Sequence, residues 1–173
     1  MPTEGRTGGI AGEAYAAFIE ELLKQEHARK TALEQRGLSV VTTSGTLITL
    51  LFGIAAFLSQ DNGLAISALA KGFLVAGLLL FLVALLLGLT IGRPMARFFA
   101  RTRVQDLRQA VRPQAWGADK PEAVRRIAER RVDELDSWRD GNGIKAGYLF
   151  WALSAETVAL ACVAFAVMTI VLA

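Results

Sequence analysis

Three long apolar runs, each almost free of charge, constrain this chain more than any other feature of its sequence. They are Leu38 to Ser59, Gly72 to Gly92 and Ala146 to Ala173, and the only Asp, Glu, Lys or Arg within them is Glu156. At about 1.5 Å of rise per residue, each run is long enough as a helix to cross the roughly 30 Å hydrocarbon layer of a bilayer. Because lipid-exposed backbone must satisfy its own hydrogen bonds, we expect an all-α integral membrane bundle with three transmembrane helices.

Lys and Arg are distributed very unevenly around these runs. Of the 19 in the chain, five precede the first run, thirteen lie between Arg93 and Lys145, and Lys71 alone lies in the connector at 60–71. Cytoplasmic loops are enriched in positive residues, so this asymmetry predicts that the N-terminus and the long basic segment are cytoplasmic. The short connector and the C-terminus are then external.

The segments outside the runs predict further helices. Glu13 to Arg36 lacks Gly and Pro and is rich in good helix formers, which predicts a helix leading directly into the first span. Asp119, Pro121 and Glu122 together predict a helix start. Gly141-Asn142-Gly143 predicts a bend before the third span, with a continuous helix as the alternative. The apolar stripe expected on the intervening helix comprises Val124, Ile127, Ala128, Val132, Leu135 and Trp138.

These patterns divide the chain into six consecutive segments. Residues 1–37 form a cytoplasmic tail and helix, and 38–59 form the first span. An external loop at 60–71 leads to the second span at 72–92. The basic cytoplasmic helical segment at 93–145 then leads to the third span at 146–173.

Glu156 is the first candidate functional residue. It lies about 15 Å into the third span by helix rise, where a carboxylate is costly unless it faces a protein interior or water. One interpretation makes it a pore, gate, proton or cation residue. The other makes it a protonated group that bonds Ser or Thr on a neighbouring helix and holds the assembly together.

A stripe of hydroxyl-bearing and small residues along the first span, the hydroxyl stripe, is the second candidate. Its members recur at steps of three or four residues and therefore share one helix face; they are Ser39, Thr42, Thr46, Thr49 and Gly53. Such a face can line a water-filled path, or it can be a packing surface where hydroxyls bond between helices. On the second span, Gly77, Ala84, Gly88 and Gly92 form a small-residue pattern that predicts helix packing.

Two arginine groups in the basic segment are candidate ligand sites. Arg97 and Arg101 follow the second span, and a second group comprises Arg125, Arg126, Arg130 and Arg131. The simpler explanation is positive-inside topology with attraction to anionic lipid headgroups. The alternative is a vestibule for a polyanion such as a nucleotide, because Arg binds phosphate in a bidentate, permanently charged way.

Several signatures of catalysis are absent from the sequence. There is no P-loop, no dinucleotide fingerprint and no metal-ligand spacing, and His27 is the single histidine. We therefore expect neither an enzyme nor a bound cofactor or metal.

The layout resembles small membrane effectors of bacterial nucleotide-signalling antiphage systems. The residues that carry the resemblance are the helix Glu20 to Lys30 feeding into Leu38 to Ser59, the hairpin ending Gly92-Arg93-Pro94, and Asn142 to Ala146 entering the third span. The families are the SLATT-type proteins, the transmembrane effectors of Pycsar systems and the HalA-type channels of Hailong systems. The resemblance implies a homo-oligomeric channel, closed at rest and controlled by a nucleotide that a partner nucleotidyltransferase or cyclase makes.

We therefore expect an oligomeric ion channel or pore-forming effector, and the resemblance implies that it acts in abortive infection by depolarising the bacterial inner membrane. Three helices enclose no ion path alone, so a pore needs several copies around an axis, and a tetramer is the working expectation. Two other classes remain open. A small proton-coupled transporter would use Glu156, and a non-conducting scaffold or regulatory subunit would bind a partner through its cytoplasmic helices.

Overall fold

A computed structural model describes residues 4–60, 67–93 and 120–172 of the chain, and the side chains at 12–56, 67–93 and 120–172. Three helices account for these residues: α1 (Glu4–Gln60), α2 (Ala68–Gly92) and α3 (Lys120–Val171). Each helix is long and apolar enough to cross a membrane. The all-α, three-span class expected from the sequence is confirmed.

The ends of the helices match the sequence signals at most points. Helix α2 begins four residues before the predicted span, and the Oγ atom of Ser67 accepts a hydrogen bond from the backbone N–H of Ala70 at 3.2 Å. It ends at Gly92, as the sequence predicts. Helix α3 begins at Lys120 and continues through 141–143, so the predicted bend is wrong and the continuous-helix alternative is confirmed.

The chain divides into two compact units, which are described separately. The charged unit comprises Met1–Thr31 and Pro94–Gly143, and the apolar unit comprises Ala32–Arg93 and Ile144–Ala173.

In the apolar unit, the buried positions of every helix recur at alternating steps of three and four residues. On α2 they include Gly77, Phe81, Ala84, Gly88 and Ile91. On α1 they are Leu33, Gly37, Val40 and Ser44, and on α3 they are Lys145, Leu149, Ala152, Glu156, Ala159 and Ala166. A repeat of seven residues is the pattern of helices that pack side by side in a left-handed bundle. We call this line of buried positions the seam.

Glycines allow the backbones of this bundle to approach closely. A Cβ atom built on Gly37 would lie 3.0 Å from the Cβ of Ile91, and one on Gly77 would lie 3.1 Å from Cγ2 of Val163. Packing by Gly77, Ala84 and Gly88 is thus confirmed, because all three are buried. Gly92 differs from this prediction, because it is exposed and nothing lies within 4 Å of its built Cβ.

In the charged unit, α1 and α3 pack along a similar repeat. The α3 positions of this repeat are buried or partly buried; they are Val124, Ala128, Arg131, Leu135, Trp138 and Asn142. Arg131, Trp138 and Asn142 contact α1. The predicted stripe is therefore partly wrong, because Ile127 and Val132 are about half exposed, at 52% and 48%. The prediction included apolar residues only. The repeat of seven also places the charged Arg131, which is about one-third exposed, and the fully buried Asn142 on this face.

Candidate functional site

Glu156 contacts a hydroxyl group on a neighbouring helix of the same chain. The Oγ atom of Ser44 donates a hydrogen bond to Oε1 of Glu156 at 3.4 Å. Ser44 is fully buried and Glu156 is 9% exposed. Both residues occupy seam positions, Ser44 on α1 and Glu156 on α3. This is the type of contact that the assembly interpretation of Glu156 expects, and its role in a pore stays a prediction.

A buried ion pair lies in the same unit, and the sequence reading missed it. The Lys145 ammonium group donates to Oε1 of Glu34 at 2.5 Å, and the Lys145 side chain is fully buried while that of Glu34 is one-third exposed. The sequence assigned Lys145 only to the basic connector. Its seven-residue spacing from Ala152 and Trp138 is the signal that could have placed it on the seam.

The hydroxyl stripe lies outside the packed interior of the chain. Ser39, Thr42, Thr46 and Thr49 are all exposed, and nothing lies within 4 Å of a Cβ built on Gly53. The three threonines donate to the backbone carbonyl four residues earlier: Thr42 to Leu38 at 3.0 Å, Thr46 to Thr42 at 2.9 Å, and Thr49 to Gly45 at 3.0 Å. Their hydroxyl protons are therefore satisfied locally, while the oxygen atoms can still accept from water or another chain.

Three arginines of the second candidate group pair with carboxylates. Arg126 lies 2.6 Å from Glu122 and Arg125 lies 3.4 Å from Glu129, both one helical turn away. Arg131 reaches across to Glu20 of α1 at 3.1 Å. Arg130 also makes an interaction in the structure. The other predicted pair, Arg97 and Arg101, lies outside the described residues.

A polar cluster lies between α1 and α3 in the charged unit, around Glu26 and Asn142. The Asn142 side-chain amide is fully buried and donates to the backbone oxygen of Glu26 at 3.0 Å and to its Oε2 at 2.9 Å. Within the described part of the chain, Oδ1 of Asn142 has no hydrogen-bond partner. His27 stacks edge-on against Trp138 at 4.3 Å, and the Lys30 ammonium lies 5.3 Å from the same ring.

An exposed ion pair joins α1 to the start of α3 in the same unit. The Lys120 ammonium donates to Oε1 of Glu13 at 2.6 Å. The hydrogen bond and the positive charge of Lys120 lower the pKa of Glu13, and Glu13 in turn raises the pKa of Lys120. Both side chains are more than half exposed, so solvent screens the attraction.

Together these contacts give the relative direction of α1 and α3 in each unit. In the charged unit, Glu20 contacts Arg131, 111 residues later, and Glu26 contacts Asn142, 116 residues later. In the apolar unit, the separations are 111 for Glu34 with Lys145 and 112 for Ser44 with Glu156. Because the partner numbers rise together in each unit, the two helices are parallel.

The described residues contain no group of three or more His, Cys, Asp or Glu side chains that could hold a metal ion. Comparison with protein-family models, with curated proteins and with solved structures found no match.

Proposed function

We propose that copies of this chain assemble into an oligomeric ion channel or pore-forming membrane effector, with α1 next to the water-filled axis. The observation that carries the proposal is the exposure of the hydroxyl stripe within the first apolar run. Among the described residues, Gly37 and Ser44 contact the other two spans from the opposite, seam face of α1. The stripe is therefore left for water or for another copy.

The stripe consists of two rows, because residues seven apart share a row in a seven-residue repeat. Ser39, Thr46 and Gly53 form one row, and Thr42 and Thr49 form the other. Helix α2 packs on α1 beside Gly37 and Val41. Around the axis of α1, the Thr42 row lies nearer to this contact with α2 than the Ser39 row does. The row farther from α2 is our candidate for the pore lining.

Planar-bilayer recording of the purified chain tests conduction directly. We expect discrete current steps, and silent bilayers across voltages and lipid compositions would overturn the proposal. A cysteine at the pore should also be reached from water. In a Cys162→Ala background, a membrane-impermeant thiol reagent should block the current of Thr46→Cys. It should leave Val75→Cys unchanged, because Val75 is an exposed apolar residue on α2.

The proposed gating signal is a nucleotide, and the proposed role is antiphage defence by depolarisation of the bacterial inner membrane. The resemblance in layout supports this part, together with the exposed arginines Arg125 and Arg126. A phosphate would compete with the carboxylates of Glu129 and Glu122 for these guanidinium groups. Titration of the purified protein with cyclic nucleotides and short oligonucleotides should give saturable binding that Arg126→Ala weakens. Binding that is absent, or that Arg126→Ala leaves unchanged, would remove the nucleotide from the proposal.

A non-conducting scaffold is the second candidate, and exposed aromatic residues in the charged unit favour it. Tyr15 is 69% exposed and Phe18 is 61% exposed, both on the part of α1 that belongs to the charged unit. Exposed aromatics are typical of protein-binding surfaces. A stable complex that the double variant Tyr15→Ser and Phe18→Ser abolishes, combined with silent bilayers, would favour this function over the channel.

A further inference from the structure

Helix α3 carries an outward face that matches the hydroxyl stripe of α1. Four of its small residues, Ser154, Thr157, Ala161 and Ala164, recur at the same three-four steps away from the α3 seam. Together with Gly147, which lies seven residues before Ser154, they are called the α3 stripe. Only Ser154 is partly buried, and the rest are exposed. Nothing lies within 4 Å of a Cβ built on Gly147, so packing within the chain does not explain its small size.

The two stripes coincide in height along the apolar unit. Within the chain, residues of α1 and α3 in contact there are 111 or 112 apart in sequence. Four members of each stripe show the same separations: Thr42 with Ser154, Thr46 with Thr157, Thr49 with Ala161, and Gly53 with Ala164. Copies that share one membrane and one topology keep their helices parallel and at one height. The α1 stripe of one copy can therefore meet the α3 stripe of another, level by level.

Exposed charges in the charged unit are complementary at matching heights. Asp136 and Asp140 of α3 are exposed, and no described residue forms an ion pair with either. The contacts of this unit place Asp136 about level with Lys24 of α1, and Asp140 about level with Arg29. These two basic side chains are 67% and 52% exposed, and within the chain they pair with Glu20 and Glu26. Opposite charges at an interface fix its orientation and disfavour wrong partners.

We propose that the partner of the hydroxyl stripe is the α3 stripe of a second copy, in a head-to-tail contact that repeats around a ring. Small residues are the usual contact of helices in membranes, because they let backbones approach and let hydroxyls bond across. The contact joins two different surfaces, so each growing assembly keeps one free α1 stripe and one free α3 stripe. Both are covered only when the copies close into a ring. The wall of the ring then alternates α1 and α3.

The contact rests on the proposed oligomeric channel and is the surface through which its copies would meet. The Thr42 row packs against the neighbour, and the Ser39 row remains beside the axis. The subunit contact is tested without any measurement of current. A silent bilayer would therefore overturn conduction and leave the contact standing, whereas failed cross-linking would overturn the contact alone.

Cysteine cross-linking in native membranes tests the contact. In a Cys162→Ala background, the double variant Thr42→Cys and Ser154→Cys should convert the monomer into a ladder of covalent oligomers on mild oxidation. Both positions are turned away from the seam between α1 and α3, so the bond forms between copies and not within one. The matched control is Thr42→Cys with Ala164→Cys, which uses the same two stripes at different heights and should stay monomeric.

Three results would overturn the proposal. The first is a monomer band that persists for the level pair, and the second is an equal ladder from the pair at different heights. The third is cross-linking of the single variant Thr42→Cys, which would indicate a symmetric contact of α1 with α1. Co-expression of Thr42→Cys and Ser154→Cys on separate chains should stop at covalent dimers, because each copy then has one cysteine.

Discussion

Gly88 of α2 lies so close to Val41 of α1 that a methyl group does not fit between them. A Cβ atom built on Gly88 would lie 2.8 Å from Cγ2 of Val41 and 3.0 Å from the carbonyl oxygen of Gly37. The second of these atoms belongs to the backbone and cannot rotate away. The two helices are therefore in contact at a point where only glycine is accommodated.

Gly88→Ala should loosen this contact and destabilise the bundle. Overpacking of this kind costs about 1 to 3 kcal/mol. Gly72→Ala is the matched control on the same helix, because nothing lies within 4 Å of its built Cβ. Thermal unfolding in detergent should show a lower midpoint for Gly88→Ala alone, and equal midpoints for the two variants would contradict the close approach.

Helix type and membrane spans follow from the sequence because they depend on local properties. The runs free of charge predict the three spans, and the end of α2 at Gly92 and the start of α3 at Lys120 follow from local signals. The prediction of a bend at 141–143 was wrong because it, too, used local signals only. Gly-Asn-Gly favours a turn locally, but here the buried Asn142 amide bonds to Glu26 on α1, and the helix continues.

The pairing of the helices was harder to predict, because it depends on how α1 and α3 are aligned. The sequence indicated that Glu156 needs a hydroxyl or a solvated surface, but it did not identify Ser44. That choice depends on contacts between residues 112 apart. The buried repeat was also missed, since Ser44, Lys145 and Glu156 interrupt it with polar side chains. A search for seven-residue spacing that ignores polarity would have found it.

Removing Glu34 should destabilise the protein, because the buried Lys145 ammonium loses its ion pair with the Glu34 carboxylate. Breaking a buried pair costs about 3 to 5 kcal/mol, and we expect the lower end because Glu34 is one-third exposed. Glu34→Ala should therefore lower the unfolding midpoint, and adding Lys145→Met should restore part of it. Lys24→Ala breaks an exposed pair with Glu20 and should have little effect. A similar loss in both single variants would argue against a buried pair.

Glu156→Gln distinguishes a pore role for this residue from an assembly role. Glutamine can still accept the hydrogen bond from Ser44, so we expect normal stability and normal current if the carboxyl group only joins α3 to α1. Ser44→Ala should be the more harmful change, because it removes the donor and leaves the Glu156 side chain without this bond. A changed ion preference in Glu156→Gln would instead support the pore interpretation.

Acid should weaken the link between Glu13 and Lys120. The pKa of Glu13 is lowered in the folded protein, so the pair contributes stability above the ordinary pKa of the carboxyl and loses it as pH falls through the lowered value. Carboxyl-carbon NMR of the full chain in nanodiscs should give a Glu13 midpoint below its usual range. Lys120→Gln should raise this midpoint back towards the ordinary value of a glutamate carboxyl, because the positive charge is removed. A midpoint that the substitution leaves unchanged would contradict the pairing.

Asn142→Leu should preserve stability while loosening the alignment of α1 with α3 in the charged unit. Replacing a buried polar group with an apolar one of similar size is often neutral or stabilising, but a polar seam residue specifies which residues face each other. Spin labels at Glu21 and Asp133, in a Cys162→Ala background, report that alignment by pulsed EPR. We expect a broader distance distribution for Asn142→Leu than for the exposed control Glu129→Leu. A distribution as narrow as the control's would assign the alignment to the ion pairs of Glu20 and Glu26 with the arginines of α3.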